Sequence, residues 1–139
     1  MSGFTLHLQD ALSYTRVDGV QSFVGVDPSG SFGLLPGHAR FMTSLKFGLA
    51  RFRGADDAWE YLALPGALVH FVDNELFLST RRLFRGPDYA QVDMLLRTRL
   101  AAEEQELAAM HESLKRLERE MLKRLHRLSR LGPMPEAMP

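Results

Sequence analysis

Gly86-Pro87-Asp88-Tyr89-Ala90-Gln91 divides this sequence into two regimes with different punctuation. Ten of the 11 glycines lie at or before position 86, and only Gly132 follows. Upstream, apolar residues recur with period two in short bursts. Phe4, Leu6 and Leu8 alternate with Thr5 and His7, and Trp59, Tyr61 and Ala63 alternate with Ala58, Glu60 and Leu62. Asp73-Asn74 sits between the apolar runs Ala67–Val72 and Leu76–Leu78, which predicts a hairpin. Further breaks fall at Asp18-Gly19, Asp27-Pro28-Ser29-Gly30, Pro36-Gly37 and Arg53-Gly54. Short strands at this spacing predict a β-sandwich or flattened barrel over residues 1–86.

Downstream the logic inverts. Asp88 can cap a helix with Gln91 three residues on, a capping-box-like start. No glycine or proline occurs from Tyr89 to Leu131. Leu107, Met110, Leu114, Leu117 and Met121 recur at intervals of three and four, and Leu125, Leu128 and Leu131 continue the stripe. Glu112 with Arg116 and Glu120 with Arg124 add favourable pairs four residues apart. The chain is therefore α+β, with a helical region over 87–131 built as a hairpin or a single long helix. One helix of that length would span roughly 65 Å at about 1.5 Å per residue and leave its stripe in water. That favours a hairpin in the isolated chain, bent around Ala108-Ala109-Met110-His111, although no turn residue enforces it. The helix stops at Gly132-Pro133, and 132–139 is expected to be a disordered tail.

The bulk composition excludes several classes. Lysine plus arginine and aspartate plus glutamate both total 17, so net charge is zero and no general nucleic-acid binder is indicated. The absence of cysteine excludes disulfides and thiolate metal sites. The N-terminus lacks the basic and apolar regions of a secretory signal. The longest uncharged apolar stretch, Tyr61–Val72, falls short of the ~20 residues a membrane span needs. A soluble chain is expected, touching a membrane only through a complex.

The segment Ser31-Phe32-Gly33-Leu34-Leu35-Pro36-Gly37-His38-Ala39-Arg40-Phe41-Met42-Thr43-Ser44-Leu45 reads physically as a tight corner followed by a strand. Pro36 sets one backbone angle, Gly37 accepts a positive one, and His38 is displayed beyond them. The same segment resembles the signature of the ε subunit of F-type ATP synthases, whose G-x-L-P-G-H-A core is matched by Gly33, Leu35, Pro36, Gly37, His38 and Ala39. Asp27–Gly30 resembles that family's acidic turn, Tyr61–Ala67 its apolar strand and small-residue turn, and Asn74–Leu78 its following hairpin strand. Arg40 stands where the family usually has proline, Pro65-Gly66-Ala67 replaces its serine-glycine-glycine turn, and Arg81 and Arg82 are unusual. These departures are similar to a divergent branch, such as the alternate F-type ATPases, some sodium-driven, that certain bacteria carry.

The resemblance implies a non-catalytic central-stalk subunit, peripheral to the cytoplasmic face of the bacterial inner membrane. Its partners would be the rotor shaft (gamma), the membrane c-ring and the catalytic beta subunits. It implies ring contact by Ser29, Gly30, Ser31, Phe32, His38, Ala39, Arg40, Phe41 and Met42. It further implies that Lys115, Arg116, Arg119, Lys123, Arg124 and Arg127 meet the catalytic head and restrain ATP hydrolysis. No cofactor or metal is implied. The nearest approach to the family's ATP-sensing pattern, Leu117-Glu118-Arg119-Glu120, lacks its aspartate and alanine. His7, His38, His70, His111 and His126 show no metal-ligand spacing, and neither a nucleophile elbow nor a P-loop occurs. The alternative is a stand-alone β module that dimerises through a coiled coil over Leu107–Met121.

Overall fold

A computed structural model describes residues 3–130. Among these residues ten strands precede the helices: β1 (Phe4–Gln9), β2 (Tyr14–Val20), β3 (Ser22–Asp27), β4 (Gly30–Leu34), β5 (Phe41–Leu45), β6 (Gly48–Arg53), β7 (Trp59–Leu64), β8 (Ala67–Val72), β9 (Glu75–Thr80) and β10 (Phe84–Gly86). They form two five-stranded sheets, ordered β2-β1-β9-β8-β5 and β10-β7-β6-β3-β4. Every pairing is antiparallel except β1 with β9. The expected sandwich is present, and its core lies between the sheets. Phe4, Leu6 and Leu8 from β1 meet Phe23, Phe52, Leu62, Leu64, Phe71, Leu76 and Leu78 there. Period-two alternation put those side chains on the inner faces.

The turns follow their residues. Asp73 and Asn74 both take positive φ (51° and 61°). That is the primed two-residue turn whose twist suits a hairpin, and it joins β8 to β9 as expected.

Helical structure begins where expected. Asp88 adopts extended geometry and its carboxylate accepts from the Ala90 N–H, capping α1 (Tyr89–Leu95). A π-helical turn, Leu96–Leu100, follows, and then α2 (Ala101–Arg130). Val92, Leu96 and Leu100 bury themselves with Ala63 against Leu49, Tyr61 and Phe84. Side chains four apart drift about 40° per step on an α-helix. The wider π turn, in which the Ala101 N–H reaches Leu96 O, offsets that drift and keeps the row on the sheet. β7 is thus covered on both sides, with Leu62 and Leu64 facing the inter-sheet core and Ala63 facing α1.

The chain divides into two compact units, 1–102 and 103–139. The second begins within α2. Of the two forms expected for the helical region, the single helix is found. α2 runs unbroken through Ala108–His111, so the favoured bend there is corrected: helix-forming alanines with no glycine or proline give the backbone nothing to break on. The expected stop at Gly132-Pro133 and the tail 132–139 lie outside the described residues, as does Leu131. No described helix is long and apolar enough to cross a membrane.

Candidate functional site

The two segments expected to act together flank β4 and touch through Phe32 and Phe41. Pro36 and Gly37 occupy the centre of a β-turn closed by a 3.1 Å bond from the His38 N–H to Leu35 O. Gly37 has φ 82°, the geometry of a type II turn, which a side chain at that position disfavours. The Gly37 N–H donates to Asn74 Oδ1 at 2.7 Å, so the corner is fastened to the β8–β9 hairpin. His38 and Ala39 are exposed, as is Arg40. The His38 ring nevertheless packs edge-on against Phe41 and Phe71, at 5.8 and 5.9 Å between centroids.

The other segment is the β3–β4 turn. Asp27 is buried and works as its knot. One carboxylate oxygen accepts from the Ser29 N–H (2.9 Å) and hydroxyl (2.6 Å), and the other accepts from the Thr43 hydroxyl of β5 (2.8 Å). The Ser29 hydroxyl first, and then that of Thr43, hold the Asp27 carboxyl below its ordinary value against the opposing effect of burial. Gly30 re-enters β4 at φ 123°. Ser29 and Ser31 are exposed, while half-buried Phe32 packs on Phe41 at 5.2 Å. The Asp27–Thr43 bond thus ties the β3–β4 turn to β5, and the tilted Phe32–Phe41 contact joins Ser29–Phe32 to His38–Phe41. Met42 is 65% exposed, but it sits across from His70 in the β5–β8 ladder and belongs to the outer face of the first sheet.

Because Asp27's folded pKa is depressed, its contribution to stability is present above the ordinary aspartate value of 3.8 and is lost as pH falls through the lower folded value. The Asp27→Asn variant should therefore unfold at lower urea concentration than the parent at pH 7. The gap between them should close as the pH falls below that window; a constant gap would mean that the charge of Asp27 contributes nothing.

That outer face carries a second feature the sequence did not signal. Across the rungs run Met42, His70, Phe77, His7 and Arg16. His7 is stacked on Phe77 at 4.5 Å and on Tyr14 at 5.8 Å. Its ring nitrogens reach Tyr14 Oη at 2.5 Å and Glu75 Oε1 at 2.7 Å. Buried His70 Nε2 has no hydrogen-bond partner among the described residues. With exposed Leu68, Met42 and Phe77 give this face an apolar part, beside the His7–Glu75 and Arg16–Asp18 pairs. Among the described residues no three metal-ligating side chains cluster.

The basic residues Lys115, Arg116, Arg119, Lys123, Arg124 and Arg127 are all exposed on α2. Glu120 lies 3.9 Å from Lys123. The apolar stripe beside them is exposed as well, from Leu107 to Leu128.

The turn, the knot and the sandwich that carries them have a counterpart among known proteins. The family model for the β-sandwich domain of the ATP synthase delta/epsilon chain matches residues 9–86. The chain belongs to this family. It is 32% identical over 89 residues to the ATP synthase epsilon chain 2 of Cereibacter sphaeroides, an alignment covering 63% of this chain and 61% of that one. Chloroplastic epsilon chains of Piper cenocladum and Pelargonium hortorum are 37% and 33% identical over 60 residues, 43% of this chain and 44% and 45% of theirs. The chain thus spans less than two thirds of the curated relatives' length. Among solved structures, the fold resembles a chain of the Euglena gracilis mitochondrial ATP synthase OSCP/F1/c-ring assembly (TM-score 0.58, 17% identity, 78% of this chain and 66% of that). It also resembles one in the Tetrahymena thermophila mitochondrial ATP synthase central stalk and c-ring (TM-score 0.51, 15% identity, 58% and 64%).

Proposed function

We propose that this epsilon-family chain is a non-catalytic rotor subunit of an F-type ATP synthase, joining the central shaft to the membrane ring and restraining ATP hydrolysis with its helical tail. The observation that carries the reading is the Leu35–His38 corner, tied by Asn74 to the β8–β9 hairpin, beside a β3–β4 turn that Asp27 ties to β5, on the family's sandwich domain. Two loops fixed to the sandwich in this way present a rigid surface. Rigidity is what transmitting torque requires, since a yielding contact would dissipate the displacement.

Ser29, Gly30, Ser31, Phe32, His38, Ala39, Arg40 and Phe41 form the candidate ring contact, with Met42 at its border with the outer face. The outer face carrying Met42, Leu68 and Phe77 is the candidate seat for the shaft, because its exposed apolar surface needs cover. Of the solved structures that share the fold, one belongs to an assembly described as central stalk and c-ring and the other to one described as OSCP/F1/c-ring. Attachment through such partners accounts for a peripheral position on the cytoplasmic face of a bacterial inner membrane, and the relative named epsilon chain 2 is in keeping with an alternate enzyme in a divergent branch.

The test is coupling in membrane vesicles containing the assembled complex. His38→Ala and Arg40→Ala should lower ATP-driven ion pumping per ATP hydrolysed, with the thermal midpoint of the isolated chain unchanged for Arg40→Ala, whose side chain is exposed. The reading fails if both variants pump as the parent does.

A further inference from the structure

The apolar stripe of α2 has an internal symmetry. Leu107, Met110, Leu114, Met121, Leu125 and Leu128 are spaced 3, 4, 7, 4 and 3 residues apart, with Leu117 near the middle of the long step. The series of six reads the same from either end, and exposed Leu117 and Leu122 lie outside it. Together with Leu117, these residues are 43–63% exposed on a helix with no buried residue. We infer that α2 pairs antiparallel with α2 of a second copy of this chain, about a two-fold axis beside Leu117.

A two-fold contact must be self-complementary: whatever residue i meets, its counterpart must meet i. An antiparallel pair centred there does so with an apolar residue facing an apolar residue at all six positions. Leu107 is set level with Leu128, Met110 with Leu125, Leu114 with Met121, and Leu117 beside its own copy. A parallel pair fails at one point, because continuing the alternation of three and four beyond Met121 puts Arg124 in the seam, level with its own copy.

Charge distinguishes the same arrangement. Between Gln105 and Leu114 the only charged side chains are Glu106 and Glu112, whereas Lys115–Arg130 carries seven basic residues against Glu118 and Glu120. Antiparallel pairing sets Glu112 level with Lys123, and Glu106 within the turn bounded by Arg127 and Arg130. Packed helices lie about 8–10 Å apart, within a Debye length, so these ends attract. The adverse juxtapositions are Glu118 with its own copy near the axis and Arg116 set level with Arg119.

This pairing goes beyond the proposed function and does not depend on it. It uses the face that would meet a catalytic head, so a paired chain and an engaged tail exclude each other. The free chain would then be held with its stripe covered until assembly.

The test uses the isolated full-length chain. Sedimentation equilibrium at micromolar concentration should give twice the 15.7 kDa chain mass, diluting to monomer. Leu117→Lys, which acts twice at the axis, should leave a monomer with unchanged helical circular dichroism, and Glu118→Gln should lower the dissociation constant several-fold. The chain has no cysteine, so single replacements report register. Leu117→Cys should cross-link to itself on oxidation. Met110→Cys and Leu125→Cys should each remain uncoupled alone and cross-link when mixed. A monomer at all concentrations overturns the inference, and so does Met110→Cys coupling to itself, which is the mark of a parallel pair.

Discussion

A fragment ending at Pro87 should fail to fold stably, whereas one ending at Ala102 should melt cooperatively with native near-ultraviolet dichroism. Residues 1–86 contain every described strand, so strand count alone would put the cut after Pro87. Cutting there removes Val92, Leu96 and Leu100, which are buried over Ala63. At about 1.5–3 kcal/mol for each fully buried aliphatic side chain, roughly 4–9 kcal/mol of apolar burial is lost. A domain is stable by only about 5–15 kcal/mol in total, so the loss is of the order of its whole stability. The cut also exposes Leu49, Tyr61 and Phe84 together, an apolar surface prone to association. Urea titration of the two fragments measures the difference, and equal midpoints would show that the α1 cluster is dispensable.

That prediction depends on a boundary only half visible in the amino-acid order. The change at Gly86-Pro87 marks where strands give way to helix, because glycine and proline usage reports backbone conformation. It does not report which helical residues pack on the sheet. The long stripe beginning at Leu107 is the stronger periodic signal, and it masks Val92, Leu96 and Leu100, whose four-residue spacing suits the π turn better than an ideal α-helix. A signal was nonetheless present in Leu62-Ala63-Leu64. Three adjacent apolar residues in a strand call for cover on both faces, and only a following helix could supply the second.

The candidate site divides in the same way. Pro36-Gly37 and Asp73-Asn74 announce their turns because those residues restrict φ locally, and both turns have the expected geometry. The bonds that tie each turn to another element are non-local and left no periodic trace. Asn74 reaching Gly37, and Asp27 reaching Thr43, depend on which strands become neighbours. Asp27-Pro28-Ser29 did carry the pattern of an aspartate bonding its own backbone two residues on, which marks half of the knot. The stacked His7 between Phe77 and Tyr14 depends on β1 lying parallel to β9, a pairing between elements far apart in the chain.

Truncation after Ala102 should raise the ATP hydrolysis rate of the assembled complex roughly 5-fold or more, the lower end of what a coupling energy of about 1–3 kcal/mol produces. The fragment keeps the whole sandwich with its α1 cover, and with it the two turns proposed to meet the ring, so assembly should persist. What it loses is α2 beyond its first residues, including the basic residues Lys115, Arg116, Arg119, Lys123, Arg124 and Arg127. A second variant separates charge from bulk. Replacing Lys123, Arg124 and Arg127 with glutamate leaves the leucine stripe intact but reverses the sign of the surface beside it. If the tail restrains hydrolysis through complementary charge, this variant should hydrolyse ATP as fast as the truncation. In the parent, raising ionic strength should move the rate in the same direction, because exposed charges are screened. Hydrolysis unchanged in both variants, with assembly verified on the same sample, would make the tail structural, and self-pairing through Leu117 would then be the remaining account of its exposed stripe.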